Sequence, residues 1–309
     1  MLSVKHLLDT PSLTADDITQ ILDTGRSFAE VNSRAIKKVP ALRGRTIVNL
    51  FLEPSTRTRS SFELAEKRLS ADSLNMGGST SSVVKGESLA DTIQTISAMN
   101  VDMFVCRASL AGTPHLITEN TDAVVINAGD GKHQHPTQAM LDLYTIREHF
   151  GHLDGLKVAI VGDLSHSRVV GSLVPALKTM GAAPILVGPP TFQVADPAWW
   201  GVEQTADLDA VIPEVDVVYL LRVQLERMGD APIPSKREYN RLFGVDERRR
   251  ALMRPGSIIC HPGPMNRGME IMHEVADAPE AKVLDQVTAG VATRMAAMYL
   301  LLGGDDAAY

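Results

Sequence analysis

A surplus of basic residues is the first thing this chain lacks. Its 30 Lys and Arg stand against 37 Asp and Glu in 309 residues, a net charge of -7. Duplex nucleic acid binds through a positive face, so such a balance speaks against a nucleic-acid partner. Long hydrophobic runs are also missing. The longest apolar stretch, Met295 to Leu302, falls far short of the roughly 20 residues that cross a bilayer. No apolar run of signal-peptide length follows Met1, so a cytoplasmic chain without a membrane segment is expected. Cysteine is nearly absent: Cys106 and Cys260 stand far apart, outside any C-x-x-C or Cys/His ligand spacing. That excludes a disulfide scaffold and a structural zinc site, and reads both thiols as buried apolar fillers in a reducing compartment. No Gln/Asn, Ser/Pro or Gly/Ser tract suggests disorder, and no fixed-period repeat suggests a solenoid.

What is present is an ordinary globular composition, 44% hydrophobic and 22% charged, long enough for two domains. Apolar spacing predicts a helix over Ile18–Val31, a strand over Thr46–Leu52 that ends at Pro54, and a helix over Thr56–Leu69. A Gly/Ser-rich loop spans Gly77–Gly86. Short apolar strands follow at Met103–Cys106 and Ala123–Asn127, then a helix over Pro136–Phe150, where proline suits the first turn. From Gly155 the pattern restarts with a buried strand over Leu156–Asp163, a helix over Ser167–Thr179 and a strand over Pro184–Val187. Strands at Asp216–Leu221 and Gly256–Cys260 and a last helix at Asp285–Leu302 complete it. The class is α/β: two domains, each a parallel sheet flanked by helices. The boundary is placed at about residue 150, giving 1–150 and 151–284, with 285–309 returning to pack on the first domain.

Ligands of open parallel sheets sit beyond the carboxyl ends of the strands, where the chain turns into a helix. Ser55-Thr56-Arg57-Thr58-Arg59 lies at such a turn. Unpaired backbone N–H groups, the positive helix end, hydroxyls and a guanidinium there form a cradle for a phosphate-like anion. Arg57 is the strongest candidate. Arg59 faces elsewhere and is expected to pair with Glu63. The His133-x-His135 pair could hold a metal, but no third ligand or carboxylate is read nearby, so no metal is expected. Gly162-Asp163 follows a strand without G-x-G-x-x-G, a weak dinucleotide signal.

The run Phe51-Leu52-Glu53-Pro54-Ser55-Thr56-Arg57-Thr58-Arg59-Ser60-Ser61-Phe62-Glu63 resembles the carbamoyl-phosphate signature of the aspartate and ornithine carbamoyltransferase family, and the likeness extends over nearly the whole chain. It implies two α/β domains with the active site in the cleft between them, and no cofactor. It places Ser55, Thr56, Arg57 and Thr58 on the phosphate. Ser79 to Thr92 is similar to the family's mobile loop, which reaches in from a neighbouring subunit. Ser81 and Lys85 then contact phosphate, Lys85 also serves aspartate, and the active unit is a homotrimer with shared sites. By itself Lys85 reads as a solvated loop residue. Arg107 matches an arginine on the phosphate and the carbamoyl carbonyl oxygen, although unaided it reads as an exposed strand end.

In His133-Gln134-His135-Pro136-Thr137-Gln138 the resemblance puts His135 on that carbonyl and Gln138 on the amino group. Thr58, Arg107 and His135 would steady the oxygen as negative charge develops, with His135 a donor rather than a base. The family's turn whose carbonyls face the amino group is matched by His261-Pro262-Gly263-Pro264. Arg168, with Arg222 and Gln224, matches the positions that hold the carboxylates of L-aspartate, a task suited to planar guanidinium groups. The Asp-x-x-x-Ser-Met-Gly stretch of ornithine enzymes does not appear, which, with Arg222 and Gln224, favours L-aspartate. Many relatives continue the turn as Leu-Pro-Arg, whereas this chain has Met265-Asn266-Arg267, leaving Arg267 as the candidate replacement. Regulatory or dihydroorotase-like partner chains remain possible for such a protein.

Overall fold

The computed structural model describes residues 2–77, 87–223 and 235–303. They group into two compact units, Met1–Tyr144 with Gly171–Leu173 and Thr288–Tyr309, and Thr145–Val170 with Val174–Val287.

The first unit opens with α1 (Ala15–Ser33), started by a capping box in which the Thr14 hydroxyl accepts from the Asp17 N–H and Asp17 reaches back to the Thr14 backbone. Burial opposes ionisation of Asp17, but hydrogen bonds from Ser3 and Thr14 hold its carboxyl down at about 2. Then come β1 (Thr46–Phe51), α2 (Thr56–Leu69), β2 (Asp72–Gly77), α3 (Leu89–Ser97), β3 (Met103–Ala108), α4 (Thr113–Thr118), β4 (Val124–Asp130) and α5 (Pro136–Phe150). All four strands are parallel, in the order β2-β1-β3-β4. The central strands read as unbroken apolar runs because parallel strands are covered on both faces. Ile47, Val48 and Leu50 of β1 and Met103 to Cys106 of β3 are all fully buried. β2 escaped the sequence pattern because it is the edge strand. Its Asp72, Leu74 and Asn75 face outward, so no apolar run marks it.

The second unit is built from β5 (Lys157–Val161), α6 (Arg168–Thr179), β6 (Ala183–Val187), β7 (Glu203–Thr205), the single-turn α7 (Leu208–Val211), β8 (Val217–Leu220), α8 (Lys236–Phe243), α9 (Glu247–Arg250), β9 (Ile258–Cys260) and α10 (His273–Ala276). Its sheet is also wholly parallel, in the order β7-β6-β5-β8-β9. The last helix, α11 (Val283–Leu301), carries fully buried Met295, Ala296 and Met298. Its first turns are open, with Leu284 and Val287 exposed, whereas the stretch from Ala292 to Met298 is buried throughout. The division between the units falls inside α5. The ring of His149, near the end of that helix, bonds the Gly256 carbonyl at 3.0 Å, so its last turn belongs with the second unit. β2, α3, α4, β7 and α7 to α10 were not foreseen. They are short, edge-placed or lack a clear apolar period. No helix among the described residues is long and apolar enough to cross a membrane.

Candidate active site

In the first unit the loops after β1, β3 and β4 lie side by side, because those strands are neighbours and parallel. The first loop leads through extended Ser55 into α2, and the Ser55 hydroxyl makes no capping bond. Thr56 and Arg57 are exposed, Ser55 and Thr58 half-buried. The Arg59 guanidinium turns to Glu63 at 3.6 Å, the pairing foreseen for it.

Arg107 stands at the end of a strand, as read, but is not exposed. It lies within β3, which runs on to Ala108, and its side chain is 14% exposed. Its Nε donates to Glu53 Oε1 at 2.8 Å, while Nη1 reaches Thr58 Oγ1 and the Ala128 carbonyl, each at 3.2 Å. One guanidinium thus ties β3 to β4 and to the loop after β1, and holds the Thr58 hydroxyl at the start of α2. Glu53 is the functional neighbour the sequence reading missed. Its signal was present, since a carboxylate beside Pro54 at a cationic turn needs a partner.

His135 and Gln138 open α5, 5% and 7% exposed. The His135 backbone N–H donates to Ser172 Oγ at 2.6 Å, and that hydroxyl donates to Gln134 Oε1 at 2.6 Å. Gly171 is required beside it, since an added Cβ would meet the His133 carbonyl oxygen at 2.2 Å. Gln138 Nε2 donates to Asp142 Oδ1 at 2.9 Å. His133 Nδ1 pairs with the buried Asp130 at 3.0 Å, a carboxylate overlooked in the sequence. Even so, no group of three or more candidate ligands gathers for a metal ion among the described residues.

In the second unit the loops after β5, β8 and β9 are likewise adjacent. Arg168 begins α6, 7% exposed, after a Ser167 whose hydroxyl makes no capping bond. Arg222 lies just beyond β8, half-buried. The turn after β9 is fixed by His261, whose Nδ1 accepts from the Gly263 N–H at 2.8 Å. Its Nε2 therefore carries the proton and donates to Glu270 Oε1 at 3.2 Å. Gly263 has φ +68°, a region that favours glycine, and a cis bond joins it to Pro264. Arg267 is held in a bidentate pair with Asp277 at 2.6 and 2.7 Å, both exposed. Ser81, Lys85 and Gln224 lie outside the described residues. Cys106 and Cys260 are fully buried fillers, as expected. Burial, with Asp130 nearby, pushes the Cys106 thiol far up, so no nucleophilic thiolate forms there.

Hydroxyls, guanidinium groups and open helix ends can hold phosphate and carboxylate groups and can steady a developing oxyanion. Fold and strand-end loops together define a two-unit parallel α/β protein equipped to hold small anions. Residues 5–148 match the aspartate/ornithine carbamoyltransferase carbamoyl-P binding domain, and residues 154–301 match the Asp/Orn binding domain of the same family. The chain is 53% identical over 304 residues to the aspartate carbamoyltransferase catalytic subunit of Parafrankia sp. (strain EAN1pec), covering 98% of each. Among solved structures it is similar to aspartate transcarbamoylase from Trypanosoma cruzi in complex with N-(phosphonacetyl)-L-aspartic acid. There the TM-score is 0.88 at 31% identity, with 96% of each chain covered. It is also similar to ornithine carbamoyltransferase from Pyrococcus furiosus, with a TM-score of 0.87 at 28% identity and 97% of each chain covered. The chain belongs to the aspartate/ornithine carbamoyltransferase family.

Proposed function

We propose that this chain catalyses transfer of the carbamoyl group from carbamoyl phosphate to L-aspartate, giving N-carbamoyl-L-aspartate and phosphate, an early step toward pyrimidines in the cytoplasm. The carrying observation is the Arg107 clamp: one buried-edge guanidinium joined to Thr58 at the start of α2, in a turn that reads Ser-Thr-Arg-Thr. That arrangement serves an anion whose far end is an acyl carbon. The near-equal likeness to aspartate and ornithine enzyme structures leaves the acceptor undecided by fold alone. The acceptor is read from Arg168 and Arg222, two cations suited to a substrate with two carboxylates, and from the named relative at 53% identity.

Ser55, Thr56, Arg57, Thr58 and Arg107 hold the phosphate, joined by Ser81 and Lys85. The aspartate amine attacks the carbamoyl carbon with its lone pair, and charge moves to the carbonyl oxygen beside Thr58, Arg107 and His135. Gln138 and the Gly263 and Pro264 carbonyls receive the carbamoyl amino group. The tetrahedral species then collapses, the carbon–oxygen bond to phosphate breaks with its electron pair leaving on phosphate, and the new nitrogen loses a proton. Arg168, Arg222, Gln224 and Lys85 hold the aspartate. Positioning and electrostatics supply the rate, without a covalent intermediate or cofactor. Lys85 and Ser81 are supplied by a neighbouring chain of a homotrimer.

Phosphate release from carbamoyl phosphate, measured with L-aspartate against L-ornithine, tests this. Turnover with aspartate alone is expected; turnover with ornithine alone, or with neither, overturns it. Gel filtration with light scattering checks the trimer.

A further inference from the structure

Gln138 and Asp142 stand one turn apart on α5, and the Asp142 carboxyl is fully buried. An (i, i+4) pair of this kind on an open helix face would be ordinary. Here the pair is enclosed, and a buried carboxylate is costly enough that an apolar residue would serve packing as well. A second charge accompanies it. Arg294 of α11, 4% exposed, stacks over the Phe62 ring with its guanidinium carbon 5.1 Å from the centroid. Its Nη1 donates to Ser61 Oγ at 2.8 Å and to the Gly290 carbonyl at 3.0 Å. Gly290 makes room for that group, since an added Cβ would lie 2.6 Å from Nη1. Burial, opposed by Asp142 and assisted by Arg107, holds the guanidinium down at about 10. It therefore stays charged at neutral pH and acts electrostatically on Asp142.

The Gln138 Nε2 donates to Asp142 Oδ1 at 2.9 Å, so the amide nitrogen of Gln138 faces the carboxyl. The amide oxygen of Gln138 must then point the other way. We propose that Asp142, by accepting from the Gln138 amide nitrogen, locks that amide with its oxygen toward the substrate and so selects acyl phosphates that bear an amino group on the carbonyl carbon. This rests on the reading of Gln138 as the contact for the carbamoyl amino group. Asp142 acts through Gln138 and is a positioning residue.

Acetyl phosphate, with a methyl group in place of the amino group, is the discriminating probe. In Asp142→Asn the residue at 142 can also donate, so the Gln138 amide is free to turn over. Its kcat/KM for carbamoyl phosphate with L-aspartate is expected to fall about 10- to 100-fold, while the value for acetyl phosphate stays nearly unchanged. In a Gln138→Ala background the same substitution is expected to add no further loss for carbamoyl phosphate. An equal fall for both acyl phosphates, or additive losses in the double variant, overturns the proposal. Should Asp142→Asn fail to fold, the charge-conserving swap Gln138→Glu/Asp142→Asn replaces it, because the amide at 142 then donates to the carboxylate at 138 and leaves one oxygen facing the substrate. The swap is expected to recover at least about tenfold over Gln138→Glu alone; no recovery overturns the proposal. Absence of aspartate carbamoylation by the wild-type enzyme would instead count against the proposed function.

Discussion

Among the described residues, the helices that follow a serine, threonine or aspartate begin in two ways. In α1, α3 and α8 the serine or threonine ahead of the first turn turns its hydroxyl inward, accepting from the Asp17, Asp91 and Glu238 N–H groups. α7 and α9 do the same with Asp207 and Asp246. In α2 and α6 the residue is again a serine in extended conformation, Ser55 and Ser167, yet neither hydroxyl makes that bond. Capping of this kind is worth about 1 kcal/mol. Five of the seven helices that follow a serine, threonine or aspartate use it, and the two that carry Arg57 and Arg168 leave it unmade. Open N-terminal N–H groups next to a guanidinium suit a bound anion, so the stability forgone at these two turns is available to a ligand.

The largest effect expected from breaking this comparison is on turnover. Arg57→Ala should lower kcat/KM at least about 10³-fold, with an unchanged circular dichroism spectrum and melting curve. A residue that serves the capped helices should show the reverse. Arg249, 4% exposed, donates to Asp209 Oδ1 at 2.6 Å and to the Gly244 and Leu242 carbonyls at the end of α8, at 2.6 and 2.8 Å. Asp209 keeps its pair with Arg248 at 2.9 Å, but Arg249→Ala strands those carbonyls and should cost about 2 kcal/mol in urea unfolding, while the KM for carbamoyl phosphate stays put.

Within α2 itself, Glu66 is fully buried beside Asn49, whose Nδ2 donates to it at 2.9 Å, and burial pushes its carboxyl up to about 7. The fold therefore prefers the protonated acid. The resulting stability is fully present below the unfolded value of 4.5 and is lost as pH rises through about 7. Glu66→Gln should raise stability by about 1–3 kcal/mol above pH 7 and by progressively less toward pH 4.5, read from urea midpoints across pH. The smallest pair sharpens the contrast most. Thr14→Ala should cost about 1 kcal/mol with no change in KM, whereas Ser55→Ala should leave the unliganded melting point within a few tenths of that scale and raise the KM for carbamoyl phosphate several-fold.

Much of this was legible because it rests on local pattern. Ser55 to Arg59 announces itself by donor density at a strand-to-helix turn, and the buried strands β1, β3, β5 and β8 announce themselves as apolar runs between breakers. The bounds found for α2 and α5 are those the apolar spacing gave. Long-range partners were not legible. Nothing near Arg107 in the chain points to Glu53, 54 residues earlier, or to the strand ordering that brings the two together. Asp130 was passed over although it is three residues from His133, because its role depends on Gly112, Asn127 and Gln134 converging on it. The edge strand β2 left no trace because it is exposed on both faces, at Asp72 and at Asn75. Arg267 was the candidate for a missing active-site arginine, and its bidentate pair with Asp277 is a contact no spacing rule reaches.

The central claim is that the uncapped start of α2 is an anion site. The direct measurement is the shift in thermal unfolding on adding inorganic phosphate at constant ionic strength. At 100 times its dissociation constant, phosphate should stabilise the wild-type protein and Thr14→Ala alike by about 2.7 kcal/mol, and Arg57→Ala not at all. A full shift retained in Arg57→Ala would contradict the account.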